Sequence, residues 1–176
     1  ATALPYIDTQ RLSLVWLGLV SASEILELES TLIGSREIRG GKKSDLLAIL
    51  QSNRAGLPEA EAALCVELQQ ALTEKDGFRR QAVPRLLYRY FAGMADVFKN
   101  VHTLMKPNAP FGLIVGGNHT TLGGKRFDIQ TPQHLASIAV SRGWTHVETI
   151  ELQTYKRYGV HAENATTTEA MVVLRA

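Results

Sequence analysis

The sequence predicts an α/β domain in which a helical first half leads into a small mixed sheet of about three strands, closed by an antiparallel C-terminal hairpin. Three observations predict it. Apolar residues recur every three to four positions from Leu87 through Tyr90, Phe91, Met94, Val97, Phe98, Val101 and Leu104 to Met105, the stripe of a long amphipathic helix. Phe111-Gly-Leu-Ile-Val115 is a short, continuously apolar run, as expected of a strand covered on both faces. The last two extended runs, 144–153 and 170–174, are separated by a loop and not by a helix, so they are expected to pair antiparallel. The order is helices, strand, helix, strand, loop, strand, which is half of an open α/β sheet.

The elements follow in order. Residues 9–20 read as a buried helix, apolar on most faces. Ser21-Ala-Ser-Glu24 has the spacing of a capping box and starts a second helix running to about Ser30. Gly34 and Gly40-Gly41 break any period, so 32–43 is a loop. Ser44 is placed to cap a short helix carrying Leu46, Leu47, Ile49 and Leu50. Pro58 suits the first turn of an Ala- and Glu-rich helix reaching about Lys75, with Asp76-Gly77 as its stop. Pro84 opens the long helix and Lys106-Pro107-Asn108 ends it. After the apolar strand, Gly116-Gly117-Asn118 reads as a turn and the stretch to Gln130 as a polar, Gly-rich loop. Thr131-Pro132 starts a helix with Thr as cap, and Gly143 stops it. The two extended runs close the chain. Residues 1–176 read as one domain, with a helical insertion over about 30–82 and the sheet with its helices over 84–176.

Bulk properties bound the function. At 176 residues the chain is long enough for one real core, and 45% hydrophobic with 20% charged residues is ordinary for a globular protein. No apolar run is long enough to span a membrane. A formal charge of +2 does not by itself mark a nucleic-acid binder, but charge is segregated. Acids gather in 24–29 and 59–67, bases in 36–43, 79–89 and at Lys125-Arg126. The single Cys65 excludes an internal disulfide and a multi-Cys metal site, and fits a reducing cytoplasm. The chain opens without Met or a secretory leader, and its first helix follows with no strand ahead of it. It therefore reads as a later portion of a larger protein.

Several stretches carry a family resemblance. Phe98-Lys-Asn-Val-His-Thr-Leu-Met-Lys-Pro-Asn108 resembles the helix-to-strand passage of class I S-adenosylmethionine-dependent methyltransferases. Ala3-Leu-Pro-Tyr-Ile-Asp-Thr-Gln-Arg11 resembles the segment just downstream of the Ser/Asp-Pro-Pro-Tyr turn of DNA amino-methyltransferases, and Leu32-Ile-Gly-Ser-Arg-Glu-Ile38 is similar to that group as well. The resemblance implies a partial Rossmann-like class I methyltransferase fold whose final strand inserts antiparallel beside its predecessors. It also implies S-adenosylmethionine as cofactor and the exocyclic amine of adenine or cytosine in DNA as methyl acceptor. That amine is a poor nucleophile, because its lone pair is delocalised into the ring. In the family the turn accepts its hydrogen bonds and an aromatic ring stacks on a base that has left the duplex. Alignment with the methyl donor supplies much of the rate.

The resemblance also shows what is missing. Ala3-Leu-Pro-Tyr6 stands near the catalytic turn, but Ala3 has no acceptor; either the motif is degenerate or it lies ahead of Ala1. No Gly-rich cofactor loop follows a first strand, and Gly116-Gly117-Asn118 opens a polar stretch instead of a helix. The chain alone is therefore expected to be inactive, with the cofactor cradle in a missing N-terminal half as its partner. DNA is the other expected partner, and a homodimer through an uncovered sheet edge is a further expectation. Two rival readings are an RNA base methyltransferase and a non-catalytic nucleic-acid-binding or assembly module.

Candidate site residues follow from this. Pro5 and Tyr6 would form part of the base-pocket wall, against the alternative of a rigid turn with a packed Tyr. Asp8 and Arg11, one helical turn apart, would line the pocket or pair with each other. Asn118, His119, Lys125 and Arg126 lie past the carboxyl end of an apolar strand, where open α/β sheets bind ligands; the bases would hold phosphates and the others touch a base or ribose. The loop 154–164 interleaves aromatics with bases, a mixture that can stack nucleobases or simply be solvated. Arg36, Arg39, Lys42 and Lys43 form a basic loop that reads as a DNA contact or a solvated face. His161 has no second ligand nearby, so no metal is expected. Cys65 reads as a buried structural thiol.

Overall fold

A computed structural model describes residues 6–34, 46–153 and 169–176. The helices are α1 (Tyr6–Trp16), α2 (Ile25–Thr31), α3 (Leu46–Ser52), α4 (Glu59–Gln70), α5 (Phe78–Gln81), α6 (Val83–Leu104) and α7 (Thr131–Val140). The strands are β1 (Pro110–Gly116), β2 (Asn118–Leu122), β3 (Lys125–Ile129), β4 (Thr145–Leu152) and β5 (Glu169–Arg175). β1, β5 and β4 form a sheet in that spatial order, and β2 with β3 forms a separate hairpin. β5 lies antiparallel to both neighbours, with Leu113 opposite Val172 on one side and Thr149 opposite Val172 on the other. β1 and β4 therefore run parallel to each other. The expected antiparallel pairing of the last two strands is present; the fold is mixed α/β, with no parallel strand pair among the described residues.

One core joins α3, α4, α6 and α7 to the hairpin and to β1 and β5. On α6, Leu87, Phe91, Ala95 and Phe98 are buried at three- to four-residue spacing, so a single face of the helix is apolar, and Pro84 fits its first turn, where no backbone donor is lost. That face meets Leu135, Ile138 and Ala139 of α7 and Val172 and Leu174 of β5. β5 alternates buried Ala170, Val172 and Leu174 with the less buried Met171 and Val173, the period of a sheet packed on one side. Trp144, just before β4, is 3% exposed. Its indole meets the rings of Phe98, His102 and Phe111, and its Nε1 donates to the Phe98 carbonyl at 2.9 Å. The indole thus ties α6 to the sheet while its one polar atom stays paired.

Several expectations are corrected. The first helix forms but is largely exposed: among its described side chains Ile7 alone is fully buried and Leu14 half-buried, whereas Leu12 is 84% and Trp16 90% exposed. A helix apolar on most faces needs cover on most faces, and the described residues supply it chiefly at Ile7. α4 stops at Gln70, short of Lys75, because Asp76 Oδ2 accepts from the Thr73 backbone N–H and hydroxyl and draws that segment into a turn. Among the described residues β1 is covered on one face only. Phe111, Leu113 and Val115 pack on the core, while Ile114 is 62% exposed. It forms an open apolar row with Met171 and Ile150, its successive cross-strand partners. The stretch read as a Gly-rich loop is the hairpin β2–β3. Leu122, Phe127 and Ile129 alternate into the core and Gly123-Gly124 makes its turn. Gln130, not Thr131, stands at the N-cap position of α7, and its side chain makes no capping hydrogen bond. The Ser21–Glu24 interaction is present, with Glu24 Oε2 accepting from the Ser21 N–H at 2.9 Å, one residue ahead of α2. Ser44 lies outside the described residues.

Candidate functional site

The end of β1 delivers the chain into the β2–β3 hairpin, so the hairpin carries the candidates that lie past a strand's carboxyl end. Strand alternation decides how they are presented. Asp128 stands opposite His119 and Arg126 opposite Thr121, and these four share one face. Asn118 pairs with Ile129 and Lys125 with Leu122, on the face that carries the buried residues. The four candidates past the strand end are thus divided between two faces of the ribbon, His119 with Arg126 and Asn118 with Lys125.

Both hairpin cations are engaged. Lys125 Nζ lies 2.8 Å from Glu67 Oε1 of α4 and 4.6 Å above the Phe127 ring centroid. Arg126 holds Asp128 Oδ1 through Nη2 at 2.8 Å and Nε at 2.9 Å. Arg126 is the main reason the Asp128 carboxyl sits below the usual range, with a smaller contribution from His119. Both pairs are exposed to solvent and screened by it, so neither holds the hairpin strongly. Asn118 Oδ1 accepts from the His119 N–H at 2.7 Å.

Of the remaining candidates, Arg11 is exposed on α1. Pro5 lies outside the described residues, as do the side chains of Tyr6 and Asp8, the basic loop at Arg36, Arg39, Lys42 and Lys43, and the loop 154–164 with His161. Among the described residues there is no group of three or more His, Cys, Asp or Glu able to hold a metal ion, and no helix long and apolar enough to cross a membrane.

Two polar clusters escaped sequence reasoning. The turn of the hairpin is moored by Asp76, whose Oδ2 also accepts from the Gly123 N–H at 2.9 Å. Backbone donors of Thr73 and then Gly123 hold its carboxyl below the usual range. Thr73, Glu74, Lys75, Asp76, Arg80 and Gly124 line an open cleft of about 620 Å³ beside it. The Thr73-x-x-Asp76-Gly77 pattern was the available signal, since a short acid three residues after a Thr and before Gly is turn chemistry. The second cluster is Glu61, 1% exposed, which takes His134 Nδ1 at 2.8 Å on one oxygen and the Ser137 hydroxyl at 3.2 Å on the other. It joins α4 to α7 across 73 positions of sequence, and no local pattern announces it. Cys65, fully buried one helical turn on, has its thiol pushed up to about 12 by burial and by Glu61, which makes it inert.

None of the described glycines leads from a strand into a helix N-terminus. Gly116 and Gly117 pass from β1 into β2 and not into a helix N-terminus, and Gly123 is packed against the Ala71 carbonyl. No family model matches the chain, and no curated protein or solved structure is significantly similar to it.

Proposed function

We propose that this chain completes the sheet of an S-adenosylmethionine-dependent DNA amino-methyltransferase, in a partial Rossmann-like domain, and contributes DNA-facing elements beside the target base. One observation carries the reading. β5 lies between two parallel strands and antiparallel to both, with α7 as the crossover between them. This is the strand arrangement that the resemblance implies for the C-terminal part of that fold. The helix-to-strand passage that carries the resemblance covers the end of α6 and the turn that leads to β1, beside that arrangement. In this reading the exposed face of the hairpin, with His119 and Arg126, meets the nucleic-acid backbone, and Arg126 exchanges Asp128 for a phosphate. The methyl donor is held by a partner half, and the present residues take no part in its cradle.

The test has two arms. Titration calorimetry of the isolated chain with S-adenosylmethionine is expected to give no heat of binding; micromolar affinity would put the donor cradle in these residues and overturn the division of labour. A polypeptide joining this chain to a donor-binding half is expected to transfer label from tritiated S-adenosylmethionine to unmethylated duplex DNA. Transfer to RNA alone would favour the RNA base methyltransferase. A non-catalytic nucleic-acid-binding module is the second reading, favoured by the unsuitable glycines; salt-sensitive DNA binding without any methyl transfer would select it.

A further inference from the structure

One basic stretch is absorbed neither by the core nor by the hairpin. Arg79 and Arg80 stand on α5, with Lys75 just ahead of it, and all three are exposed. Their situation differs from that of the hairpin cations. Lys125 and Arg126 each hold a carboxylate, whereas among the described residues Lys75, Arg79 and Arg80 form no ion pair. Asp76 feels the charge of Arg80, but its Oδ2 already accepts from the Thr73 hydroxyl and from the N–H groups of Thr73 and Gly123. Its backbone carbonyl accepts from Gln81 Nε2 at 2.9 Å. The acid is engaged in holding the turn, and the cations beside it are left to solvent.

The same segment turns an aromatic ring to water. Phe78 is 82% exposed, next to Arg79. A single exposed apolar side chain is ordinary; the setting of this one is not. Gly77, Phe78, Arg79 and Arg80 border an open hollow of about 440 Å³. Arg80 also borders the cleft of about 620 Å³ between the 73–76 turn and the hairpin turn, together with Lys75. The two hollows therefore adjoin at Arg80. One is polar and flanked by two cations, and the other presents a phenyl ring between guanidinium groups. α5 packs against β2, and Asp76 ties the turn to the hairpin, so both hollows sit on one frame. A nucleotide unit asks for this pair of features: positive charge for its phosphate, and beside it a ring or guanidinium plane for the face of its base. In a duplex that face is covered by the neighbouring bases, so ring stacking selects an unpaired strand. An acidic peptide would satisfy the cations and leave the ring unused.

We propose that Lys75, Phe78, Arg79 and Arg80 form a binding site for single-stranded nucleic acid, with a backbone phosphate against Lys75 and Arg80 and an unpaired base on Phe78. This deepens the preceding reading, on which it rests only for why a nucleic acid comes to this chain.

The test uses the full chain and the fluorescence anisotropy of end-labelled oligothymidylate and oligouridylate, each about twelve nucleotides long. Thymine and uracil have no exocyclic amine to methylate, so this result and the methyl-transfer assay fail independently. Both strands are expected to bind alike, because neither phosphate contact nor stacking senses the sugar, and to bind more weakly as salt rises. Phe78→Ala is expected to weaken binding about tenfold, the scale of one lost base stack, and to leave the binding of an abasic strand of equal length unchanged; Phe78→Trp should restore the affinity. Lys75→Gln combined with Arg80→Gln should weaken binding of both the oligothymidylate and the abasic strand and lower the salt slope by about 0.7 for each cation removed. These side chains are exposed, so the variants are expected to keep the far-ultraviolet dichroism of the parent. Absence of binding at millimolar strand overturns the proposal, and so does an oligothymidylate that binds no better than the abasic strand. Tighter binding of a duplex overturns the choice of an unpaired strand. Equal binding of a polyglutamate of matched charge makes the patch a general anion surface and overturns the site. A hundredfold preference for one sugar overturns phosphate contact and stacking as the mode of recognition.

Discussion

Replacing Gly123 by Ala is the sharpest test of how the hairpin is moored. Gly123 has φ +54 and Gly124 has φ +80, so both lie in the left-handed region that side chains avoid. They differ in their surroundings. A Cβ on Gly124 meets nothing within 4 Å, whereas one on Gly123 would stand 2.2 Å from the Ala71 carbonyl oxygen, backbone that cannot rotate away. Gly124→Ala therefore costs only the conformational term, about 1–2 kcal/mol. Gly123→Ala carries the same term and adds an overpacking cost of about 1–3 kcal/mol. The turn must move to relieve that clash, which also stretches the Gly123–Asp76 hydrogen bond. Urea unfolding monitored by dichroism should rank the variants with Gly123→Ala clearly the less stable at unchanged slope. Equal destabilisation would refute the reasoning, because it would mean that the turn is not packed against the end of α4.

Three other outcomes are expected. Glu61→Ala leaves His134 and the Ser137 hydroxyl without their acceptor and should cost about 1–3 kcal/mol in urea unfolding, more than Glu61→Gln, which keeps the shape and an acceptor; the reverse order would sink the clamp. The Asp76 carboxyl is held below its ordinary range in the folded chain, so its contribution to stability is complete above about pH 4 and is lost as pH falls further through the folded value. Asp76→Asn should accordingly be less stable at neutral pH and show a shallower acid limb than the parent, and an unchanged limb would count against it. Cys65 should resist a thiol-reactive disulfide reagent at pH 8 in the folded chain and react fully in urea; rapid labelling of the native protein would contradict its burial.

How much of this was legible in the sequence depends on the length and locality of each signal. α6 was readable because its stripe repeats over many turns and one face alone is apolar. β5 and its antiparallel pairing were readable because the last strands lack a helix between them. The hairpin was not, because Gly116-Gly117 and Gly123-Gly124 punctuate the stretch and leave only Leu122, Phe127 and Ile129 to show alternation. α1 was foreseen as a helix but misjudged as buried, since apolar spacing reports conformation and not whether another surface is present to cover it. In the candidate site, the sequence placed four residues past one strand end without saying which way each would face. Strand geometry then put Asn118 and Lys125 on the side opposite His119 and Arg126. The Glu61–His134 contact depends on how α4 and α7 pack around α6, which no window of sequence contains.

The two tryptophans stand at opposite extremes, Trp144 at 3% and Trp16 at 90% exposure. The chain should therefore emit two separable fluorescence signals. One is blue and shielded from iodide and reports the integrity of the core. The other is red and quenchable and senses whatever comes to lie on the first helix. Docking without unfolding would blue-shift the second and leave the first alone, while melting would red-shift only the first.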